Sequence, residues 1–396
     1  MVQVSSARDS WICAINSSSG GSVLVVAFGL CYWIVGCDLI SNSSRSNRCD
    51  DRDLAQEQTE RLACWDTQTY DAFGSLLSVS EDTLLLGYWE GRGHGDFRGG
   101  KIRLRRSTNG GESWTQIKTF GTSKDQEFFG TTGSRIYGGP FFLSVNIGQR
   151  LYTYRSEQGS TWSEPIPIYS GAGFASARGA VIEINKGVLM KPFYWRSKDD
   201  IGEAQEFRSM VAFSRDDGQT WEDPTTVLES MDRSNLYNEA SYVYLGRGRI
   251  VGLVRDERKS RYHQVLSIDN GSTWEDAGMV PFSQGSFPHP PKLVRAENAS
   301  GDTVVLCYYA NRTNKQLLVI PASAKDLIRE GAEAWNGSSE MQIASFTRER
   351  SGYPSIVHDN ETCRSVVMAY DEERPADADI LVYAVDLADM LGCRND

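Results

Sequence analysis

Two stretches of the chain follow one template: Ser214-Arg-Asp-Asp-Gly-Gln-Thr-Trp221 and Ser267-Ile-Asp-Asn-Gly-Ser-Thr-Trp274 share the pattern Ser-x-Asp-x-Gly-x-Thr-Trp. The Asp side chain can accept hydrogen bonds from the backbone amides of a tight turn, and the Gly can take the positive φ that such a turn requires. The Trp can fold back and pack the hairpin onto its sheet. Each stretch therefore predicts a tight turn between two β-strands.

The template recurs along the chain. Ser107–Trp114 fits with Asn for Asp and Ser for Thr, Ser156–Trp162 fits with one residue deleted, and a degenerate fifth copy ends at Trp335. The successive tryptophans are 48, 59, 53 and 61 residues apart, which suits one four-stranded sheet per repeat. Extended in both directions, this period predicts an all-β fold, a six-bladed β-propeller over about residues 56–394.

Composition excludes several classes of function. The chain has 396 residues with 41 Lys+Arg against 52 Asp+Glu, a formal net charge of −11. An acidic surface repels a phosphate backbone, so no nucleic-acid partner is expected. The four histidines are not spaced like metal ligands, and the eight cysteines contain no Cys-x-x-Cys pair. We therefore expect no metal site.

The N-terminal region differs from the rest of the chain. Residues 22–37 are nearly all apolar, which places the run between a secretory h-region and a membrane span in length. We expect residues 1–55 to be an extension, either a signal or signal-anchor segment with a linker or a pair of buried strands, and residues 56–396 to be the propeller. Seven Asn-x-Ser/Thr sequons favour a secreted or membrane-anchored glycoprotein on the extracellular or luminal side.

The turn template resembles the Asp boxes of the sialidase superfamily, and the resemblance covers roughly residues 56–394. It implies a retaining exo-sialidase without metal or organic cofactor, acting on terminal sialic acids of glycoconjugates. A sialic acid carries a carboxylate on its anomeric carbon, which would repel a carboxylate nucleophile. A Tyr activated by a Glu avoids this repulsion, and Arg side chains can bind the substrate carboxylate through two parallel hydrogen bonds.

Individual segments are similar to the family's site motifs. Ser351-Gly-Tyr353-Pro resembles the motif of the nucleophile, which implies that role for Tyr353. The segment from Asn238 to Arg255 resembles the paired Glu and Arg of one blade, which implies that Glu239 is the base and Arg255 a carboxylate ligand. Asn311-Arg312 resembles the segment of a second such arginine, Arg312.

The segment Trp89–Asp96, before the predicted strand 101–106, resembles the family's acid/base loop. The resemblance implies that Asp96 protonates the leaving oxygen and that Arg92 supports it. A departure lies 25 residues before Asp96, where Asp71 stands at the position of the family's first carboxylate-binding arginine. Either Asp71 points elsewhere and another arginine such as Arg178 substitutes, or the substrate has no carboxylate.

Three hypotheses follow from these residues. The first is a sialidase; the second is a sialidase-like hydrolase of another terminal sugar, suggested by Asp71. The third is a glycan-binding propeller without catalytic activity, suggested by the imperfect Asp boxes. The oligomeric state is not predicted by the sequence.

Overall fold

The regular structure of the chain is almost entirely β. A computed structural model describes residues 57–65, 69–94, 96, 98–121, 127–136, 138–197, 206–230, 234–282, 285, 289–336, 340–374 and 376–393. The expectations for residues 1–55 lie outside the described residues. No helix in the described part is long and apolar enough to cross a membrane.

The described residues form 25 strands and three short helices. The strands are β1 (Thr59–Trp65), β2 (Tyr70–Ser78), β3 (Leu84–Gly91), β4 (Lys101–Ser107), β5 (Thr115–Phe120), β6 (Phe128–Arg135), β7 (Phe141–Ile147), β8 (Arg150–Ser156), β9 (Ile166–Tyr169), β10 (Phe174–Ala175), β11 (Ile182–Asn185), β12 (Val188–Arg196), β13 (Phe207–Ser214), β14 (Thr225–Glu229), β15 (Tyr237–Gly246), β16 (Arg249–Asp256), β17 (Arg261–Ser267), β18 (Glu275–Met279), β19 (Lys292–Glu297), β20 (Thr303–Asn311), β21 (Gln316–Ser323), β22 (Met341–Ser345), β23 (Gly352–Asp359), β24 (Arg364–Arg374) and β25 (Asp377–Asp386). Two short α-helices, α1 (Ala324–Arg329) and α2 (Ala388–Leu391), and one 3₁₀ helix (Gly331–Trp335) complete the set.

The sheets have a propeller-like arrangement, but their number differs from the expected six. Among the described strands, four sheets of blade size are separate: β6–β9, β10–β14, β15–β18 and β19–β22. The remaining strands form one eight-stranded sheet, because β2 pairs in parallel with β25 at Tyr70 and Ala378. The prediction of an all-β propeller is confirmed, whereas the prediction of six separate blades is wrong for the hydrogen-bonded sheets.

The two ends of the described chain meet in the eight-stranded sheet. Strand β1 pairs antiparallel with β25, so an N-terminal strand joins three C-terminal ones. A disulfide between Cys363, in the turn after β23, and Cys393, beyond α2, ties the C-terminal segment to the same sheet. The β1–β25 pairing thus joins two strands that lie far apart in sequence.

Loss of this disulfide is expected to destabilise the protein measurably. The bonded cysteines are 30 residues apart, and closing a loop of that length removes about 3–4 kcal/mol of chain entropy from the unfolded state. The variant Cys393→Ser should therefore unfold at a lower urea concentration than the unaltered protein. Equal urea midpoints for the variant and for the oxidised unaltered protein would contradict the expectation.

The predicted Asp boxes form the turns expected of them. In Ser214–Trp221 the Asp216 carboxylate accepts from the Thr220 backbone N–H at 2.9 Å and from the Thr220 hydroxyl at 2.6 Å. Gly218 has φ +80°, a backbone conformation that favours glycine. The equivalent bonds recur at Asp269.

The predicted fifth copy is wrong. Trp335 ends the 3₁₀ helix that follows α1, and its indole N–H donates to the Gln264 side chain at 2.9 Å. The residue is fully buried against β17 and β21 rather than folded over a hairpin. The tryptophan spacing matched the repeat, but the segment before Trp335 lacks the Asp and Gly pattern of the turn.

Serines on inner strands bind neighbouring groups of strands to one another. The Ser134, Ser241 and Ser355 hydroxyls accept the backbone N–H groups of Val181, Leu293 and Leu76, at 2.6, 3.0 and 2.9 Å. The Ser241–Leu293 bond joins β15 to β19, the Ser355–Leu76 bond joins β23 to β2, and the Ser134–Val181 bond joins β6 to the residue just before β11. These hydrogen bonds fix the positions of neighbouring groups of strands relative to one another.

Candidate functional site

The candidate site is built at the beginnings of the inner strands, where the pairing register shifts. The shift lies between Ala72 and Ser75 in β2, between Tyr237 and Ala240 in β15, and between Gly352 and Ser355 in β23. Such bulges redirect a side chain out of the regular alternation. The residues in the shifted segments include Phe73, Glu239 and Tyr353.

Glu239 and Tyr353 lie 114 positions apart in sequence and are hydrogen bonded. The Tyr353 hydroxyl donates to Glu239 Oε1 at 3.0 Å. Arg255 Nη1 donates to Glu239 Oε2 at 2.6 Å, and Arg178 Nε lies 3.4 Å from Oε1. Glu239 is 5% and Arg255 6% exposed, so the carboxylate, the phenol and the two guanidinium groups form a largely buried network.

Arg178 also covers the ring of Tyr353. Its guanidinium carbon lies 4.6 Å from the centre of that ring and 4.3 Å from the centre of the Phe73 ring. The two rings contact each other edge to face at 5.0 Å. Phe73 and Tyr353 both have positive φ, 55° and 53°, which is uncommon for aromatic residues and is often found at functional sites.

Arg312 lies on another side of Tyr353 and is held by a histidine. Arg312 Nε donates to His289 Nε2 at 2.7 Å. His289 is fully buried and packs edge to face against Tyr353 at 4.8 Å. Burial, followed by Arg312 and Arg255, holds the pKa of His289 well below its ordinary value. A neutral imidazole can accept the Arg312 hydrogen bond.

The environment keeps Tyr353 protonated at rest. Burial, and then the Glu239 carboxylate, raise the pKa of Tyr353 above its ordinary value, although Arg178, Arg255 and Arg312 lower it in part. The hydroxyl can therefore lose its proton only as a new bond forms at its oxygen, and Glu239 is the hydrogen-bonded acceptor for that proton. For Arg255, burial lowers the pKa, but Glu239, Tyr353 and Glu257 raise it above the ordinary value.

Asp71 faces away from this network. Its side chain is fully buried and accepts from the Thr69 hydroxyl at 2.9 Å. Burial and then Asp71 raise the pKa of Tyr88, on β3. Asp71 therefore contacts Thr69 and lies near Tyr88, whereas Arg178 lies beside Tyr353.

The described contacts of Asp96 are with Arg98 rather than with Tyr353. Asp96 is paired with Arg98, whose Nε donates to Oδ1 at 3.1 Å, and the Asp96 side chain is 35% exposed. The Arg98 hydrogen bond is the largest cause that lowers the pKa of Asp96, and exposed Arg92 contributes to the same effect. The described contacts of Asp96 do not connect it to Glu239 or Tyr353.

Several residues at the site were not assigned a role from the sequence. His94 Nδ1 lies 3.0 Å from the Tyr70 hydroxyl, which donates to Glu372 Oε2 at 2.8 Å. Phe73 contacts the His94 ring, and His289 binds Arg312. The signal available in the sequence was weak: His94 and His289 are two of only four histidines, and both lie close to glycine or proline residues.

Two kinds of comparison place the chain among known proteins. The sequence profile of the family described as BNR repeat-like domain matches residues 141–366, more than half of the chain. The chain belongs to the BNR repeat-like domain family. A curated sialidase of Paraclostridium sordellii is 23% identical over 133 residues, and the match spans 31% of each protein.

Solved structures share the fold of this BNR repeat-like protein. The intramolecular trans-sialidase from Ruminococcus gnavus, in complex with oseltamivir carboxylate, is 12% identical with a TM-score of 0.62, over 82% of this chain and 96% of that one. The α-L-arabinofuranosidase from Fusarium graminearum, in complex with an iminosugar inhibitor, is 12% identical with a TM-score of 0.57, over 84% and 99%. Together with the family match, these similarities place the chain in the sialidase-like superfamily.

The family match covers only the part of the candidate site that lies within residues 141–366. The matched segment of this BNR repeat-like protein contains Arg178, Glu239, Arg255, Arg312 and Tyr353. The N-terminal part of the site, with Asp71, Arg92 and Asp96, lies before it. The residues that form the hydrogen-bonded network are thus those within the matched segment.

Proposed function

We propose that this protein is a retaining glycoside hydrolase whose nucleophile is Tyr353. The observation that carries the proposal is the 3.0 Å hydrogen bond from the Tyr353 hydroxyl to Glu239 Oε1. A nucleophile in contact with its base, and a base that is oriented by other groups, is the arrangement expected for covalent catalysis. Arg255 and Arg178 supply that orientation.

The reaction follows from these contacts. Tyr353 attacks the anomeric carbon while its proton passes to Glu239, and the bond to the leaving oxygen breaks. Water then attacks the glycosyl–tyrosine intermediate, so that two inversions give net retention. The sequence resemblance implies Asp96 as the proton donor to the leaving oxygen and Arg92 as its support.

A terminal sialic acid is the substrate we favour. Arg178, Arg255 and Arg312 all lie close enough to lower the pKa of Tyr353, so positive charge is concentrated where a substrate carboxylate would lie. The same carboxylate would disfavour an anionic nucleophile and favour a tyrosine. Asp71 does not oppose this assignment, because it faces Thr69 and Tyr88.

A second candidate substrate is a terminal sugar without a carboxylate. The three arginines already have partners in the protein: Arg178 and Arg255 pair with Glu239, and Arg312 donates to His289. A carboxylate ligand would have to compete with these partners. The fold shared with an α-L-arabinofuranosidase is compatible with this alternative.

The proposal extends to architecture and location. We assign residues 56–396 to the propeller and residues 1–55 to an extension before it. The Cys363–Cys393 disulfide and the sequons support a secreted or membrane-anchored protein in an oxidising compartment. The partner is a glycoconjugate.

Turnover of a small panel of fluorogenic glycosides tests the proposed function. The full chain is expected to release 4-methylumbelliferone from the α-sialoside, with little release from the α-L-arabinofuranoside. The reverse preference would favour the second candidate. If the folded protein released nothing from either glycoside or from neutral pyranosides, hydrolysis would be excluded in favour of glycan binding without catalysis.

A further inference from the structure

A small cavity adjoins Tyr353 and Arg178 between the groups of strands. It has a volume of about 50 Å³, and its walls come from β2, β6, β15, β19 and β23 and from the segment just before β11. A cavity needs roughly 10–15 Å³ to hold one water molecule. This cavity therefore has room for a small ion together with water, but not for a sugar.

Lys292, the first residue of β19, brings a positive charge to the wall of this cavity. Within the described part of the chain, its ammonium group has no hydrogen-bond or ion-pair partner. Burial alone lowers the pKa of Lys292 to about 8, and no carboxylate offsets this effect. A charge removed from water is costly unless an opposite charge or hydrogen bonds compensate it, so an anion beside Lys292 would stabilise it.

Two further basic side chains lie at the same cavity. Arg178 lines it directly, and Lys191 lies behind its wall, where Nζ donates to the carbonyl oxygens of Ala177, at 3.0 Å, and Gly179. Lys191 is fully buried, and burial, followed by Lys292 and Arg178, holds its pKa well below the ordinary value. Three basic groups therefore act on one another around one small space.

No acidic side chain balances these groups within the cavity. None of the described residues that line it is Asp or Glu. Glu239 belongs to the neighbouring network, where it pairs with Arg255 and Arg178 and accepts from Tyr353. The cavity thus has an excess of positive charge, which attracts an anion and repels a cation.

Two serine hydroxyls can also bind an anion in the cavity. Ser241 and Ser355 line it, and their oxygen atoms accept the backbone N–H groups of Leu293 and Leu76. A serine hydroxyl has one O–H to donate besides its lone pairs. Because each oxygen is already an acceptor towards the backbone, its O–H remains available to an anion.

We propose that this cavity is a binding site for a small monovalent anion of chloride size, held by the Lys292 ammonium group and by the hydroxyls of Ser241 and Ser355. The anion is a bound ion and takes part in no bond-making step. It would offset the positive charge around Arg178, which lines both the cavity and the ring of Tyr353. The site does not depend on the proposed hydrolase function.

Thermal unfolding of the full chain in chloride tests this site, with gluconate as the replacing anion at constant ionic strength, since gluconate is too large for the cavity. At about pH 7 the midpoint should rise by about 2 °C for each tenfold increase in chloride above its Kd, because an ion that binds only the folded protein stabilises it. Lys292→Met should lose this dependence. Lys325→Met, at an exposed lysine on α1, is the matched control and should keep it.

Proton linkage gives a second test that needs no variant. The anion binds the charged form of Lys292, whose pKa is about 8. At about pH 9.5 the chloride concentration that gives the same rise in midpoint should therefore be about 30-fold higher than at about pH 7. Deprotonation of Lys191 would act in the same direction, whereas Arg178 keeps its charge and the raised pKa of Tyr353 keeps that phenol neutral.

The outcomes separate this site from other effects of salt. An equal chloride effect in Lys292→Met, or one that does not weaken at the higher pH, would place the anion elsewhere and overturn the proposal. A midpoint that does not respond to chloride at about pH 7 would overturn it too, and would mean that the cavity holds water only. If Lys292→Met does not fold, the pH series on the unaltered protein decides.

Discussion

Replacing Tyr353 by phenylalanine is expected to abolish glycoside turnover, with a loss of about 10³-fold or more in kcat, because the variant lacks the oxygen that forms the covalent bond. The fold should be retained. The phenyl ring keeps its contacts with Phe73, His289 and Arg178, and Glu239 keeps both arginine partners. The measurement is kcat on the fluorogenic sialoside, with a thermal melt to verify folding.

Tyr308→Phe is the matched control for this variant. Tyr308 is also a buried tyrosine on an inner part of the fold, and its hydroxyl lies 2.7 Å from the Ser365 hydroxyl, outside the candidate site. Its loss should lower stability by about 1 kcal/mol and leave kcat unchanged. Turnover by Tyr353→Phe at the level of the control would refute the assignment of Tyr353.

Replacing Glu239 by alanine is expected to lower the free energy of unfolding by about 3–5 kcal/mol, because it leaves buried charge without its partner. Arg255 is 6% exposed and has its 2.6 Å bond to Glu239, while Arg178 loses the same carboxylate. The cost comes from the two guanidinium groups that lose this carboxylate, of which Arg255 keeps only the longer 3.8 Å contact with Glu257. Urea denaturation of the two proteins measures the difference.

A surface ion pair provides the control for Glu239. Arg215 Nε lies 2.7 Å from Glu222, and both side chains are largely exposed. Glu222→Ala should change stability by less than about 1 kcal/mol. Combining Glu239→Leu with Arg255→Met should restore part of the lost stability, because an apolar pair replaces a broken ionic one. A Glu239→Ala protein as stable as Glu222→Ala would contradict the account of this network.

The sequence predicted the parts of the fold that depend on local chemistry. An Asp box is recognisable because its own residues form the turn: the Gly218 N–H donates to the Ser214 hydroxyl, and the Thr220 N–H donates to the Asp216 carboxylate. The pattern also located the hairpins, and hence the strands from which Tyr353 and Glu239 project. The mutual distance of those two residues was expected only through the family resemblance, since they lie 114 positions apart.

Other features depend on contacts between groups of strands and could not be predicted from local sequence patterns. The hydrogen-bond partner of His289 is Arg312, in the turn after β20, and that of His94 is Tyr70, on β2. The direction of Asp71 is set by the alternation of side chains along β2 and by the bulge that follows it. Spacing alone was misleading at Trp335, where the interval fits but the turn residues are missing.

The join between the first and last groups of strands was likewise not predictable. It depends on the single β2–β25 pair and on the return of β1 to the last strand. Neither pairing can be recognised in the hydrophobic patterns of β1, β2 and β25. The same long-range pairing brings Tyr70 beside Glu372, which are 302 positions apart.

Trapping of the covalent intermediate tests the central claim most directly. A fluorinated sialosyl fluoride reacts with the nucleophile but releases the sugar slowly, so the adduct can be located by mass spectrometry of the digested full-length protein. The account predicts one glycosyl adduct, on the peptide that contains Tyr353, and none in the Tyr353→Phe protein. An adduct on a different residue, or turnover of a sialoside without any adduct, would contradict it.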